Sequence, residues 1–307
     1  MKCSLAFLLI ALFLCTPAFA DGPTVLVIPK GERVQYWKWV RKGAVQAGEE
    51  RGVSIIFRGP RTSDDYRAQL GIIQQAIDDR VDAIVIAPSH SSISTDLLEK
   101  AHHQGIHVVI IDSASEFSED VSFVATDNYR AGYDAAKFLL SLIDSNGKVL
   151  LLRYKKNNAS TVAREKGMLK AFGEASGVEI VDSGYIGVSI GKTYYRVSDI
   201  IKAHPDVEAV ISPGEATTVG CLRALKDTGL AGIVKFVGFD YTSEVHAALK
   251  RGEIHGVVLQ RPYDMGYLGV MAAADAIESK PVEKRITTSI SIATKLDDLD
   301  AVDVDEH

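Results

Sequence analysis

Apolar residues along this chain alternate between two spacings, and the alternation repeats from end to end. Thr24–Ile28 is a short apolar run; beyond Pro29 and Gly31 the apolar positions become Val34, Trp37, Val40, Ala44 and Ala47, at three- and four-residue steps. The first pattern predicts a strand, the second a helix, with a turn between them. Further apolar, β-rich runs follow at Ser54–Arg58, Ala83–Ala87, Val108–Ile111 and Phe123–Thr126. Between them, Leu70, Ile73 and Ile77 share one helical face, and Leu97, Leu98 and Ala101 share another. Strands alternating with helices at this spacing predict parallel strands joined by right-handed crossovers, hence an α/β class.

The pattern then begins again. A helix is expected over Tyr129–Leu142, followed by strands at Lys148–Leu152, Glu179–Tyr185, Ala209–Ser212, Val234–Gly238 and His255–Leu259. Helical stretches at Thr161–Phe172, Lys192–Ala203 and Thr217–Lys226 separate them, and Asn146-Gly147 marks the turn before the second set. Two open sheets of about five strands suit this length better than one sheet of about ten, because large twisted sheets tend to split. The expected architecture is therefore two similar α/β/α lobes. A late helix, Asp264–Glu278, ended by Pro281, is expected to return to the first lobe, with Ile286–Ile292 crossing over again. The lobes then comprise 21–127 plus 261–286 and 128–260 plus 287–307. The acidic segment Leu296–His307 reads as a loosely attached end.

Composition narrows the compartment and the partners. Residues 1–20, MKCSLAFLLIALFLCTPAFA, carry one Lys, an apolar run and Ala18 and Ala20 around Phe19, the pattern of a cleaved secretory signal. Cleavage is expected after Ala20; Cys15 offers lipid attachment as an alternative, with Leu14 a poor fit to that reading. Processing removes Cys3 and Cys15 and leaves Cys221 as the only thiol, so no intramolecular disulfide is expected. The full chain carries a net charge of −6, and the loss of Lys2 makes it one unit more negative. An acidic balance disfavours nucleic acid and anionic membrane surfaces. An exported, monomeric globular chain is expected.

Several catalytic and cofactor readings fail on the residues. The turn Pro29-Lys30-Gly31-Glu32-Arg33 has one glycine where a dinucleotide site needs G-x-G-x-x-G. His102 and His103 are adjacent, so on a helix they point apart, and no metal site is expected. Gly187-Val188-Ser189-Ile190-Gly191 matches a G-x-S-x-G nucleophile elbow, with Asp240 and His246 or His255 downstream. A hydrolase of that kind needs one larger sheet, so a non-enzymatic chain is favoured and Ser189 stands as the rival. Asn158-Ala159-Ser160 fits a glycosylation sequon.

The runs QLGIIQQAIDDRVDAIVIAP (69–88), GIHVVIIDS (105–113), FVATDNYRAG (123–132), HPDVEAVIS (204–212), ALKDTG (224–229) and KFVGFD (235–240) resemble the periplasmic sugar-binding proteins of ABC transporters. The likeness is to the ribose-binding group of type 1 solute-binding proteins and spans the mature chain in order. It implies two lobes with parallel sheets joined by three crossing strands, closing on a ligand in the hinge cleft. It also implies a periplasmic location, a small polar ligand such as a monosaccharide, no cofactor, and an ABC permease or a membrane sensor as partner. The family's contact positions fall on Tyr36 and Trp37, Asp112, Arg164, Asp240 and Gln260. Ser113 stands where an arginine often follows the acid, and Gly214-Glu215 replaces a common Asn-Asp, which makes Glu215 a candidate. The aromatic expected near Val188 is missing, with Tyr185 the nearest. Structural roles compete: Trp39 covers surface, Asp112 and Asp240 are placed to cap turns, and Glu215 suits a helix N-terminus.

Overall fold

The computed structural model describes residues 22–294, so the leader and the acidic C-terminal segment lie outside the described residues. Two six-stranded sheets form, each sandwiched between helices. The first contains β1 (Thr24–Ile28), β2 (Ser54–Phe57), β3 (Ala83–Ile86), β4 (His107–Ile111), β5 (Ser122–Thr126) and β11 (Arg285–Thr288). Its helices are α1 (Gln35–Arg51), α2 (Tyr66–Asp79), α3 (Thr95–His103) and α9 (Pro262–Ile277). The second sheet contains β6 (Asn146–Arg153), β7 (Gly177–Tyr185), β8 (Val207–Ile211), β9 (Lys235–Phe239), β10 (Gly256–Leu259) and β12 (Ser291–Ala293). Around it lie α4 (Asn128–Ser141), α5 (Ala159–Gly173), α6 (Ile190–Ala203), α7 (Glu215–Asp227) and α8 (Ser243–Lys250).

The strand orders, β2-β1-β3-β4-β5-β11 and β7-β6-β8-β9-β10-β12, are the same arrangement used twice. In each, the order reverses beside the first strand of the lobe, and the loops that follow the strands open at that point, where α/β sheets bind ligands. Helices on both faces explain the continuous apolar runs: every residue of β3 and β10 is buried, whereas the edge strand β2 buries none fully. Apolar clusters lie on the two faces of each sheet.

The chain passes between the lobes after β5, after β10 and between β11 and β12. The last passage differs from the sequence expectation: Thr287 and Thr288 pair with Ala125 and Thr126 of β5, so the first sheet keeps them and the crossing falls at 289–290. Those additions make each sheet six-stranded instead of about five. β12 is also antiparallel to β10, because it leaves the first sheet and enters the second with almost no intervening chain in which to turn.

Both lobes are locked by one device, a helix pair brought to backbone contact by glycine. A Cβ on Gly43 of α1 would lie 2.0 Å from the Tyr263 carbonyl oxygen of α9. A Cβ on Gly132 of α4 would lie 2.0 Å from the Arg164 carbonyl oxygen of α5. The second contact fixes the backbone of a candidate site residue.

Candidate ligand-binding cleft

The strand ends β4 and β9 each release an aspartate into the space between the lobes. Asp112 and Asp240 both adopt left-handed backbone, with φ of 61° and 72°. Each amide still reaches a neighbouring strand, Asp112 to the Val124 carbonyl and Asp240 to the Val258 carbonyl, both at 3.0 Å. A non-glycine residue in this region carries a strain cost of about 1 kcal/mol or more, and such residues concentrate at functional sites. Neither aspartate caps the turn that follows it; both carboxylates face inward.

All seven candidate residues, Tyr36, Trp37, Asp112, Arg164, Glu215, Asp240 and Gln260, line one interlobe cavity. From the first lobe, the Tyr36 hydroxyl donates to Asp112 Oδ1 at 3.0 Å, and its ring meets Trp37 edge to face at 4.9 Å. Trp39, by contrast, is half-buried on the outer side, under Lys42. Tyr185 is exposed and lies outside the cavity, bonded to Arg153.

From the second lobe, Arg164 projects off α5 and is almost fully buried. Its guanidinium donates to Asn128 Oδ1 at 2.8 Å, the Pro213 carbonyl at 2.9 Å and Gln260 Oε1 at 2.6 Å, and lies 4.5 Å from the Phe239 ring centroid. Gln260 passes the link on, its Nε2 donating to Asp240 Oδ1 at 2.6 Å while Thr126 donates to its Oε1 at 3.1 Å. Thr126 ends β5 and Gln260 follows β10, so two of the three crossings are hydrogen-bonded to the site itself.

One residue that sequence reasoning left on the rim of the first turn is central here. Lys30 is 5% exposed, and its ammonium reaches Asp112 Oδ2 and Ser113 Oγ at 2.5 Å and Ser160 Oγ of the other lobe at 3.2 Å. Ser113, standing where an arginine was expected, is thus served by a cation from a different strand. Burial alone would raise the Asp112 carboxyl, but the charge and hydrogen bond of Lys30, with the Arg164 charge, outweigh it and hold it below its ordinary value. Asp240 has no such direct partner: burial raises it, against the pull of Arg164 and the Gln260 hydrogen bond. Glu215 is pushed up to about 7, by burial first and the Asp240 charge second.

The sequon residues have a structural role. Asn158 is buried and its side chain caps α5, accepting from the Thr161 amide at 3.1 Å and the Ser160 hydroxyl at 2.9 Å. Asn and Ser favour helix starts and sequons alike, and only burial separates the two uses. Ser189 is likewise the cap of α6, accepting from the Lys192 amide at 3.3 Å. His246 bonds to Tyr241 and His255 accepts from the Phe236 amide, so neither histidine serves Ser189. Among the described residues no group of His, Cys, Asp and Glu is placed to hold a metal ion, and no helix is long and apolar enough to cross a membrane.

The lobes touch directly. Ser113 Oγ donates to Ser160 Oγ at 2.9 Å, the Ser91 amide to the Asn157 carbonyl at 3.3 Å, and the Tyr36 amide to Glu215 Oε2 at 3.4 Å. The cleft is closed around a cavity lined by aromatic rings together with paired acids, bases and hydroxyls.

Residues 25–281 match the periplasmic binding protein domain family. The chain is 27% identical over 256 residues to the ribose import binding protein of Bacillus subtilis, spanning 83% of this chain and 82% of that one. Among solved structures, the periplasmic component of an ABC-type sugar transport system from Hahella chejuensis superposes with a TM-score of 0.86 at 32% identity, covering 89% of this chain and all of its own. An ABC transporter solute-binding protein from Agrobacterium vitis with bound D-fucose gives a TM-score of 0.86 at 30% identity, covering 89% and 95%. The chain belongs to the periplasmic binding protein family.

Proposed function

We propose that this member of the periplasmic binding protein family captures a monosaccharide between its lobes and delivers it to the permease of an ABC importer. The observation that carries the reading is the convergence of Tyr36, Trp37 and Asp112 from one lobe with Arg164 and Asp240 from the other on a single cavity. A sugar ring offers C–H faces to aromatic rings and hydroxyls that both donate and accept, which is the chemistry these walls supply. Relatives named for ribose import and a neighbour holding D-fucose support the ligand class.

Capture works through closure. A ligand that touches both lobes favours the closed state only by its differential affinity for closed over open. Here the contacts are tied to the crossings through Gln260 and Thr126, so ligand contact at Arg164 and Asp240 bears on hinge geometry. The permease then reads the closed face. The family and its import-binding relatives support a periplasmic site of action, and Ser189 as a helix cap supports a binding role.

A thermal-shift screen tests the ligand class. The processed chain is unfolded and refolded to remove co-purified ligand, then screened against pentoses, hexoses, polyols and nucleosides. A ligand at about 100 times its Kd adds roughly 2.7 kcal/mol and shifts Tm by a few degrees. A monosaccharide hit supports the reading; a shift confined to another class overturns it.

A further inference from the structure

Helix α1 begins without a cap of its own. Its N-cap residue is Val34, which has no side-chain acceptor, and its first turn holds no acid. The first amides of a helix have no partner within it and attract negative charge. The missing acceptor comes from the opposite lobe: Glu215 Oε2 accepts from the Tyr36 amide at 3.4 Å. Glu215 is free to do so because its own helix is capped by another group, the Glu215 amide donating to Asp240 Oδ2 at 3.0 Å. One carboxylate therefore sits between the N-termini of two helices that belong to different lobes, and it has this position only when the cleft is shut.

We infer that Glu215 is a positioning residue, a cap supplied across the cleft that latches the closed state and makes closure favourable as pH falls. The inference rests on the ligand-capture reading only in that closure is the working step. The charged groups around Glu215 are Asp240 beyond β9, Arg164 on α5, and Lys38 on α1, with the Tyr154 phenol nearby and the Lys30–Asp112 pair across the cavity. Closing the cleft adds burial, which raises the carboxyl, while the amides of Tyr36 and Gln35 and the Lys38 charge partly offset this; Asp240 belongs to the same lobe and stands beside it in either state.

The direction of the pH effect follows. In the closed form Glu215 is pushed up to about 7, with burial the largest cause; opening removes the share of that burial supplied by the first lobe while Asp240 stays beside it. The closed form therefore holds the proton more tightly, and lowering the pH through 7 favours closure. Between pH 8 and pH 6 the closed-to-open ratio rises, by at most about tenfold for a closed form that titrates near 7.

The test measures closure itself, without ligand. Spin labels at Arg61→Cys and Lys192→Cys, both exposed positions on opposite lobes, report the interlobe distance in the full processed chain; native Cys221 is buried and takes no label. The wild-type distribution is expected to move toward the short distance between pH 8 and pH 6. Glu215→Gln, whose amide oxygen still accepts from Tyr36, is expected to keep the short distance at both pH values; Glu215→Ala is expected to shift toward the long one at both. An unchanged wild-type distribution, or a Glu215→Gln variant with the wild-type pH response, overturns the inference. Failure of every sugar to bind alongside the expected distances overturns the capture reading alone.

Discussion

Replacing Arg164 by methionine removes a buried guanidinium while keeping most of the side-chain volume. Asn128 Oδ1 and the Pro213 carbonyl lose their donor, and Gln260 Oε1 keeps only Thr126. Each buried orphan costs about 1–3 kcal/mol, and Asp240 additionally loses the cation that pulls against its burial. The costs share one network and do not add, so the expected loss is about 3–5 kcal/mol, the range for breaking a buried charged pair from one side. For a chain of this size that lowers Tm by on the order of 10 °C. Guanidinium denaturation and calorimetry measure it directly, and ligand affinity falls with it because the hinge side of the cavity loses its anchor. Arg164→Lys, which keeps the charge but not the planar fork, should fall between the two. A stability loss below about 1 kcal/mol in the methionine variant would refute the reasoning, since the hydrogen bonds would then carry no net weight.

Other perturbations separate the roles of neighbouring residues. Asp112→Asn should destabilise the chain near neutral pH by leaving Lys30 buried without its counter-charge. Because the Asp112 carboxyl is depressed in the folded state, that contribution is present above its ordinary value of 3.8 and fades as pH falls below it, so the wild-type advantage in urea melts should shrink toward pH 3; a constant difference would argue against the ion pair. Gly132→Ala places a methyl 2.0 Å from the Arg164 carbonyl and should cost about 1–3 kcal/mol or more; unchanged stability would show that α4 and α5 can separate. Ser189→Ala should cost about 1 kcal/mol as a lost helix cap and leave sugar affinity intact, whereas a change in affinity would return Ser189 to the site.

What the sequence disclosed tracks the range of the interactions involved. Strand and helix alternation is local, so both sheets and their longer crossover helices were legible, though the short α8 was not named, and Asp112, Asp240 and Arg164 could be picked out as facing the cleft. Lys30 was not, because its ammonium matters only through Asp112 and Ser160, residues brought to it by β4, two strands away in the sheet, and by the other lobe. The contact made by Glu215 was hidden for the same reason: acids suit helix N-termini, and nothing local says that this carboxylate accepts from α1 while Asp240 serves its own helix. Asn158 and Ser189 were obscured differently, since caps, sequons and nucleophile elbows draw on the same few residue types, and only burial and partners tell them apart. The late crossing at 289–290 depended on which sheet holds Thr287 and Thr288, a pairing decision and not a periodicity.

Isothermal titration calorimetry of the refolded chain with D-ribose, D-fucose and a panel of pentoses and hexoses tests the central claim most directly. Saturable one-to-one binding of a monosaccharide, lost in Asp240→Ala while the variant keeps its wild-type helical circular dichroism, is the result the account predicts. Absence of heat with every monosaccharide, or binding that survives in Asp240→Ala unchanged, would contradict it.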